Sequence, residues 1–163
     1  MLLKHPFEPV YNGDSRVLIL GTFPSVKSRA NMFYYGHPQN RFWRVLAMVF
    51  GCAEPQSVEE KKEFLLRHGV AIWDVVGSCE IEGSSDSSIR NVSPNDIGAV
   101  LAGSSISRIY ANGRAAERIY NRYILPVTGK SIVPLPSTSP ANAMFSLERL
   151  AREWRIIKQN MQY

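Results

Sequence analysis

The chain has 163 residues, 45% of them hydrophobic and 20% charged, a length and balance that suit one domain with a sizeable core. Its net charge of +5 favours a polyanionic partner, although an ordinary basic protein carries a similar charge. Two cysteines without a CxxC spacing exclude a four-thiolate zinc or iron–sulfur site, and the lack of both a signal-peptide core and an apolar run of ~20 residues predicts a cytoplasmic protein with no membrane contact.

The first predicted element is a strand at residues 17–20, a continuously apolar run that is typical of a strand buried on both faces of a parallel sheet. We expect the polar, proline-bearing residues 1–15 to cover an edge of that sheet. The strand stops at Gly21, and a polar turn at residues 22–25 follows. Because ligands of open α/β sheets gather where strands end at their carboxyl edge, this turn is a predicted ligand site.

An aromatic and polar segment at residues 33–40 comes next, with three consecutive aromatic residues followed by GHPQN. Aromatic faces beside carboxamides suit a flat ligand that stacks and forms hydrogen bonds through its edge. A helical pattern then runs from about Arg41 to Gly51, with Asn40 as its expected N-cap.

The rest of the chain alternates between predicted helices and strands. The remaining elements are a helix from 57 to 69, a strand at 70–76, a long loop at 77–92, a helix at 93–103, a strand at 106–111, a helix at 114–123, a strand at 131–135 and a last helix after Ser146. The serine-rich loop is either a substrate lid or a merely flexible connection. The alternation predicts a single three-layer α/β/α domain over residues 1–163, with a central, mostly parallel four-stranded sheet.

Small or amide residues follow three of these strands, at 21–22, 112–113 and 137–142, and parallel strands would gather them in one cleft. The cleft has no Ser-His-Asp or Cys-His arrangement, Walker loop or dinucleotide fingerprint, which disfavours nucleotide hydrolysis and hydride transfer. Carboxamides are poor bases but good orienting groups. They suit a reaction in which a water is positioned and the leaving group departs readily, such as cleavage of the bond between a base and deoxyribose.

Four motifs in order, GTFPS, YYGHPQNRFW, YANG and LPSTSPAN, resemble those of the uracil-DNA glycosylase superfamily. HPQNRFW is most similar to the mismatch-specific uracil and thymine glycosylases. GTFPS, with neither Asn nor Asp at the water-activating place, resembles the hypoxanthine-DNA (deoxyinosine) glycosylase branch. The resemblance implies a monofunctional DNA glycosylase of base excision repair that flips a deaminated base, hypoxanthine or alternatively uracil, out of DNA, hydrolyses its N-glycosidic bond and leaves an abasic site. It also implies a monomer that needs no metal or cofactor.

The resemblance implies roles for individual residues. Asn40 is the expected catalytic residue, although a helix cap alone explains an asparagine there. Tyr35 would stack on the flipped base and Asn112 would read its edge, where core packing and a turn are the respective alternatives. The expected substrate-binding residues are Gly21, Thr22, Phe23, Tyr35, His37 and Asn112. The expected DNA-binding residues are Pro24, Ser25, Ser137, Ser139, Ala141 and Asn142, with Met144 as a candidate wedge and Lys27, Arg29 and Arg41 as candidate phosphate contacts.

Three other functions stay open at this point. One is a mismatch-specific glycosylase for uracil or thymine opposite guanine. The second is a nucleic-acid-binding module that keeps the stacking cleft but has lost the chemistry, which the missing motif-one Asn or Asp would explain. The third is a nucleosidase, which would release base from free deoxyinosine.

Overall fold

In the computed structural model, which describes residues 2–82 and 88–161, the strands form two sheets. The smaller sheet is antiparallel and places β4 (Val76–Glu80) between β1 (Leu2–Lys4) and β5 (Arg90–Pro94). The larger sheet is parallel and has the order β3-β2-β6-β7, with β2 at Val17–Gly21, β3 at Val70–Asp74, β6 at Arg108–Asn112 and β7 at Ile132–Leu135.

Helices cover both faces of the parallel sheet. They are α1 (Val26–Asn31), α2 (Phe42–Phe50), α3 (Val58–Arg67), α4 (Ile97–Ala102), α5 (Arg114–Ile119), α6 (Leu125–Thr128), α7 (Leu147–Trp154) and α8 (Ile156–Gln159). Val17 and Ile19 of β2 belong to the core that contains α2 and α7, whereas Leu18 and Leu20 belong to the core that contains α4 and α5. The predicted three-layer arrangement around a four-stranded parallel sheet is therefore confirmed.

The prediction of one strand over residues 70–76 is wrong, because β3 ends at Asp74, the chain bends at Val75, and β4 continues in the other sheet. The Asn95 side chain holds this crossing: its Nδ2 donates to the carbonyls of Asp74 and Val76, at 2.8 and 3.1 Å. Val75 and Val76 continue the apolar pattern of β3 past its end, so the sequence shows no break at the bend. The bend leaves Asp74 at the carboxyl end of the parallel sheet.

Three other predicted boundaries are also wrong. The loop at 77–92 contains most of β4 and the start of β5, and its residues 83–87 lie outside the described part of the chain. Ser93 and Pro94 end β5, an edge strand that tolerates proline, and Asp96 caps α4 by accepting the Ala99 N–H at 3.1 Å. The helix at 114–123 is α5 followed by a π-helical turn at Tyr120–Ile124, which leads into α6.

The N-terminal segment covers an edge of the parallel sheet, as predicted. Val10 forms an antiparallel bridge with Ile72 of the edge strand β3, with both N–H···O bonds at 3.0 Å. Helix α1 was not predicted, because six residues are too few to display a helical apolar pattern; Ser25 caps it by accepting the Ser28 N–H at 3.1 Å. Among the described helices, none is long and apolar enough to span a bilayer.

Candidate functional site

A cavity of about 390 Å³ opens at the carboxyl ends of β2, β3 and β6, within the usual range of small-molecule sites. It brings together Tyr35, Asn40 and Asn112, which the sequence analysis assigned to a single pocket. The predicted site residues that line it are Gly21, Thr22, Phe23, Pro24, Ser25, Tyr35, His37, Asn40, Asn112, Ser137, Ser139 and Ala141. Asn142 lies instead in a neighbouring groove with Phe145 and Glu153.

Tyr35 forms part of the cavity wall in a strained backbone conformation. Its φ of 54° lies in the left-handed region, which costs free energy for an aromatic residue and often marks a functional site. The ring stacks on Phe42, with 4.0 Å between centroids and 18° between planes. Its neighbours Phe33 and Tyr34 are buried in the core.

Asn40 sits one residue before the N-cap of α2, a position that Arg41 occupies. Its Oδ1 accepts hydrogen bonds from the Phe42 N–H and the Thr138 hydroxyl, both at 2.9 Å. Because a backbone N–H can only donate, the amide atom facing Phe42 is the oxygen, and its two lone pairs are used. Within residues 2–82 and 88–161, Nδ2 donates to no other group. Asn40 therefore presents N–H donors to the cavity, not an acceptor.

His37, in the same segment, also offers a donor. Its Nδ1 accepts the Gln39 N–H at 3.1 Å. In the neutral ring the proton therefore sits on Nε2. The ring lines the cavity, so His37 and Asn40 both suit a ligand with acceptor atoms.

Thr138, which the sequence analysis did not single out, joins Asn112 to Asn40. Asn112 Oδ1 accepts the Thr138 N–H and its Nδ2 donates to Thr138 Oγ1, both at 3.0 Å. The Thr138 hydroxyl in turn donates to Asn40. Asn112 thus anchors the LPSTSPAN motif through Thr138 and keeps one N–H of its amide for another partner. That it forms hydrogen bonds with the edge of a flipped base stays a prediction. Thr138 stands among several serines and prolines, and nothing in the sequence marks it as the buried one.

We expect Thr138→Val to lower the free energy of unfolding by about 1–3 kcal/mol and activity by roughly tenfold, because it leaves Asn40 Oδ1 and Asn112 Nδ2 short of a partner. Thr138→Ser, which keeps the hydroxyl, should stay close to the wild type in both. Chemical denaturation and single-turnover assays measure the two effects. Wild-type activity in Thr138→Val would show that the link to Asn40 does not matter.

Arg41 holds the loop at residues 137–145 in place through hydrogen bonds to its backbone. Its guanidinium donates to the carbonyls of Phe145, Ser139 and Asn142, the last two at 3.0 and 2.9 Å, and its backbone N–H donates to Thr138 O at 3.1 Å. The candidate phosphate contact is thus a structural support for the loop.

Asp74, which lines the cavity, and its partner His5, which lies behind it, were not predicted from the sequence. Asp74 lines the cavity although it is only 3% exposed, and its Oδ2 lies 2.7 Å from His5 Nε2. Burial, and after it the negative charge of Asp74, raises the pKa of the Tyr34 hydroxyl well above its usual value. An acidic residue inside the apolar run at 70–76 was the available signal, and reading that run as one strand concealed it.

Gly21 makes the convergence of polar groups possible. A Cβ at this position would lie 2.4 Å from Asp74 Oδ1 and 2.9 Å from the Tyr35 hydroxyl oxygen. Both distances are shorter than non-bonded atoms tolerate. The glycine therefore leaves room for a carboxylate and a phenol to meet over the end of β2.

The comparisons with known proteins agree with one another. A family model described as the uracil DNA glycosylase superfamily matches residues 8–159. A relative from Methanosarcina acetivorans, named hypoxanthine DNA glycosylase, is 34% identical over 158 residues, which are 96% of this chain and 98% of its own length. A relative of the same name from Methanosarcina barkeri is 37% identical over 90 residues, 54% of this chain and 56% of its own. The solution NMR structure of a Methanosarcina acetivorans protein has a TM-score of 0.79 and 31% identity, and the match covers 97% of this chain and 99% of that one.

Proposed function

This chain belongs to the uracil DNA glycosylase superfamily, and we propose that it is a DNA glycosylase that removes deaminated bases, hypoxanthine first and uracil second, in base excision repair. The main structural support for this proposal is the cavity at one edge of the parallel sheet, which Tyr35, Asn40 and Asn112 line together. The choice of hypoxanthine is supported by the names of the two Methanosarcina relatives.

The proposed chemistry is hydrolysis of the N-glycosidic bond of a base flipped into the cavity. In the transition state the sugar becomes oxocarbenium-like and the departing base gains negative charge. Donors aimed at that base stabilise the charge in a site that excludes bulk water. Asn40 Nδ2 and His37 Nε2 are such donors, and the Tyr35 ring supplies a wall for the base. As the bond between the sugar carbon and the base nitrogen breaks, water adds to the sugar carbon, the proton that the water loses neutralises the departed base, and an abasic site remains.

Asn40 is the proposed catalytic residue, with a role that its bonding restricts. Because its Oδ1 is occupied by Phe42 and Thr138, it cannot accept a proton from the attacking water. We therefore assign it to the leaving group, or to a water that accepts its N–H bond. The other predicted substrate-binding and DNA-binding residues keep their proposed roles.

The test is incubation of the purified protein with duplexes that carry deoxyinosine, uracil or thymine opposite each normal base, followed by alkali. Strand scission at deoxyinosine supports the proposal, and scission restricted to uracil or thymine opposite guanine favours the mismatch-specific alternative. Tight binding without turnover would indicate a binding module. Base release from free deoxyinosine would indicate a nucleosidase, and no scission of any duplex would reject the glycosylase.

Met144 is the proposed wedge that fills the gap left by the flipped base. Its side chain is 89% exposed on the loop that Arg41 supports, whereas the tip residue Ala141 is small. We expect Met144→Ala to lower activity on duplex substrate by roughly tenfold and to leave activity on single-stranded substrate unchanged. The tenfold loss corresponds to about 1.4 kcal/mol of stabilisation that the wedge gives to the unstacked duplex. Val127→Ala, at an 82% exposed apolar residue outside the cavity lining, is the control. Equal losses on both substrates would contradict the wedge role.

We also propose a single domain over residues 1–163, a monomeric state with DNA as the partner, a cytoplasmic location, and a reaction without a metal or cofactor. Light scattering during gel filtration tests the oligomeric state. Activity in the presence of a chelator tests the metal.

A further inference from the structure

His5 and Asp74 form a buried pair whose members are 69 positions apart in the chain. Asp74 ends β3, and His5 lies just after β1, outside the residues 8–159 that match the family model. Their side chains are 4% and 5% exposed. The His5 backbone N–H donates to Gly77 O at 2.7 Å, and its ring packs edge-on against Phe7 and Phe23. The imidazole is therefore fixed in one orientation.

The hydrogen bonds determine where the protons of this pair lie. His5 Nδ1 has two neighbours on Phe7, the carbonyl oxygen at 2.8 Å and the N–H at 3.5 Å. The N–H contact is at the outer limit of a hydrogen bond, and since the much closer carbonyl only accepts, Nδ1 carries a proton. Nε2 and Asp74 Oδ2 are 2.7 Å apart, a distance that requires one proton between them. Whether that proton is nearer nitrogen or oxygen, none is left for the other carboxylate oxygen. Oδ1 is thus a hydrogen-bond acceptor in either case.

That oxygen lies at the cavity, above the end of β2. It sits 2.4 Å from the position of a Cβ on Gly21, and Asp74 is part of the cavity lining. It accepts no hydrogen bond from the part of the chain that the structure describes. A carboxylate acceptor is therefore available in the same cavity as the donors Asn40 Nδ2 and His37 Nε2.

We propose that Asp74 Oδ1 accepts the ring N–H of the flipped base, so that the His5–Asp74 pair selects lactam bases against the amino bases from which deamination produces them. Hypoxanthine carries an N–H beside a carbonyl on its Watson–Crick edge, and so does uracil. Adenine and cytosine carry a bare ring nitrogen beside an amino group, and would bring a lone pair against Oδ1. A site built on a hydrogen bond rejects an analogue that lacks the donor far better than a hydrophobic pocket rejects an extra methyl group.

This inference rests on the proposed function and gives it a specificity-determining residue. Asp74 contacts the base, and His5 is a positioning residue that holds the carboxylate and keeps a proton off Oδ1. The competing role for Asp74 is that of a general base for the attacking water. The two roles predict different outcomes for Asp74→Asn. Its amide can donate to His5 Nε2 and keep its oxygen toward the cavity, which preserves the acceptor but removes the base.

The experiment compares deoxyinosine with 1-methyldeoxyinosine, in which a methyl group replaces the ring N–H, in single-turnover assays. We expect the wild type to prefer deoxyinosine by at least about 100-fold. Asp74→Ala should lose about 100-fold on deoxyinosine and almost nothing on the methylated base, since it removes the acceptor and makes room for the methyl group. Asp74→Asn should stay within roughly tenfold of the wild type on deoxyinosine.

Variants of His5 test whether it positions the Asp74 carboxylate. The readout is the ratio of the single-turnover rates on deoxyinosine and 1-methyldeoxyinosine, which a purely structural role of His5 would not change. His5→Gln can still donate to Asp74 Oδ2 and should keep the preference, whereas His5→Leu should lower it. Circular dichroism checks folding of each variant. If Asp74→Ala does not fold, the wild type and the two His5 variants still give the ratio.

Three results would overturn the inference: equal cleavage of both bases by the wild type, an unchanged ratio in Asp74→Ala, or an Asp74→Asn variant as inactive as Asp74→Ala. Failure of the proposed function has a different signature, because the wild type would then cleave neither base. In that event, binding of duplexes that carry the same two bases on a hydrolysis-resistant 2′-fluoro sugar measures the preference directly. Equal binding of the two by the wild type would also overturn the inference.

Discussion

Replacing Asn40 with aspartate is expected to lower base release by about 100–1,000-fold, the usual cost of losing a donor that stabilises developing charge, while stability stays near that of the wild type. The aspartate keeps an oxygen for the Phe42 N–H and the Thr138 hydroxyl, so the support of α2 survives. The second carboxylate oxygen of the aspartate replaces Nδ2, so the cavity gains a hydrogen-bond acceptor where it had N–H donors. Single-turnover rates and thermal denaturation measure the two properties separately.

Asn40→Ala is the matched variant, because it removes both the oxygen that accepts the Phe42 N–H and the Nδ2 donors. It should lose as much activity as Asn40→Asp and, in addition, about 1 kcal/mol of stability. If Asn40→Asp keeps or raises activity, the cavity needs an acceptor there and the donor role is wrong. If Asn40→Ala also keeps its activity, Asn40 only supports the start of α2.

Gly21→Ala is the second large effect that we expect, a loss of about 100-fold in activity, as displacements near 1 Å at a reacting site produce. The added methyl group would lie 2.4 Å from Asp74 Oδ1 and 2.9 Å from the Tyr35 hydroxyl oxygen, so at least one of these groups must move. The backbone at Gly21 is not in the left-handed region, and alanine adds no strain of its own. The measurement is the single-turnover rate on deoxyinosine duplex.

Gly13→Ala is the control for that variant, since a Cβ there would meet no described atom within 4 Å. It should retain wild-type activity and stability. Gly21→Ala with unchanged activity would show that the placement of Asp74 and Tyr35 over β2 is irrelevant to the reaction. A Gly21→Ala protein that binds the lesion normally but does not cleave it would restrict the effect to the chemical step.

The sheet and the outline of the cavity could be predicted because each rests on a short-range signal. A continuously apolar strand such as β2 has the pattern of a doubly covered strand, and the polar residues after β2, β6 and β7 follow from parallel topology. The motifs then identified which residues share the cleft. The grouping of Tyr35, Asn40 and Asn112 in one pocket came from the resemblance of those motifs to the uracil-DNA glycosylase superfamily.

What could not be predicted depends on contacts between distant residues. The bend between β3 and β4 is held by Asn95, twenty residues further along the chain, and nothing in the local apolar pattern reveals it. Thr138 matters only through Asn112 and Asn40, and His5 only through Asp74. Such partners are chosen by tertiary geometry, so the donor and acceptor inventory of the site became visible only in three dimensions.

The three carbonyls that Arg41 binds have a consequence for the kinetics of encounter. A loop held by three hydrogen bonds from one guanidinium has few conformations to lose when a duplex binds, so the entropic cost of association is small. The slow event in recognition is then extrusion of the nucleotide from its stack, a property of the damaged duplex more than of the protein. Weakly paired lesions would be found fastest on that account.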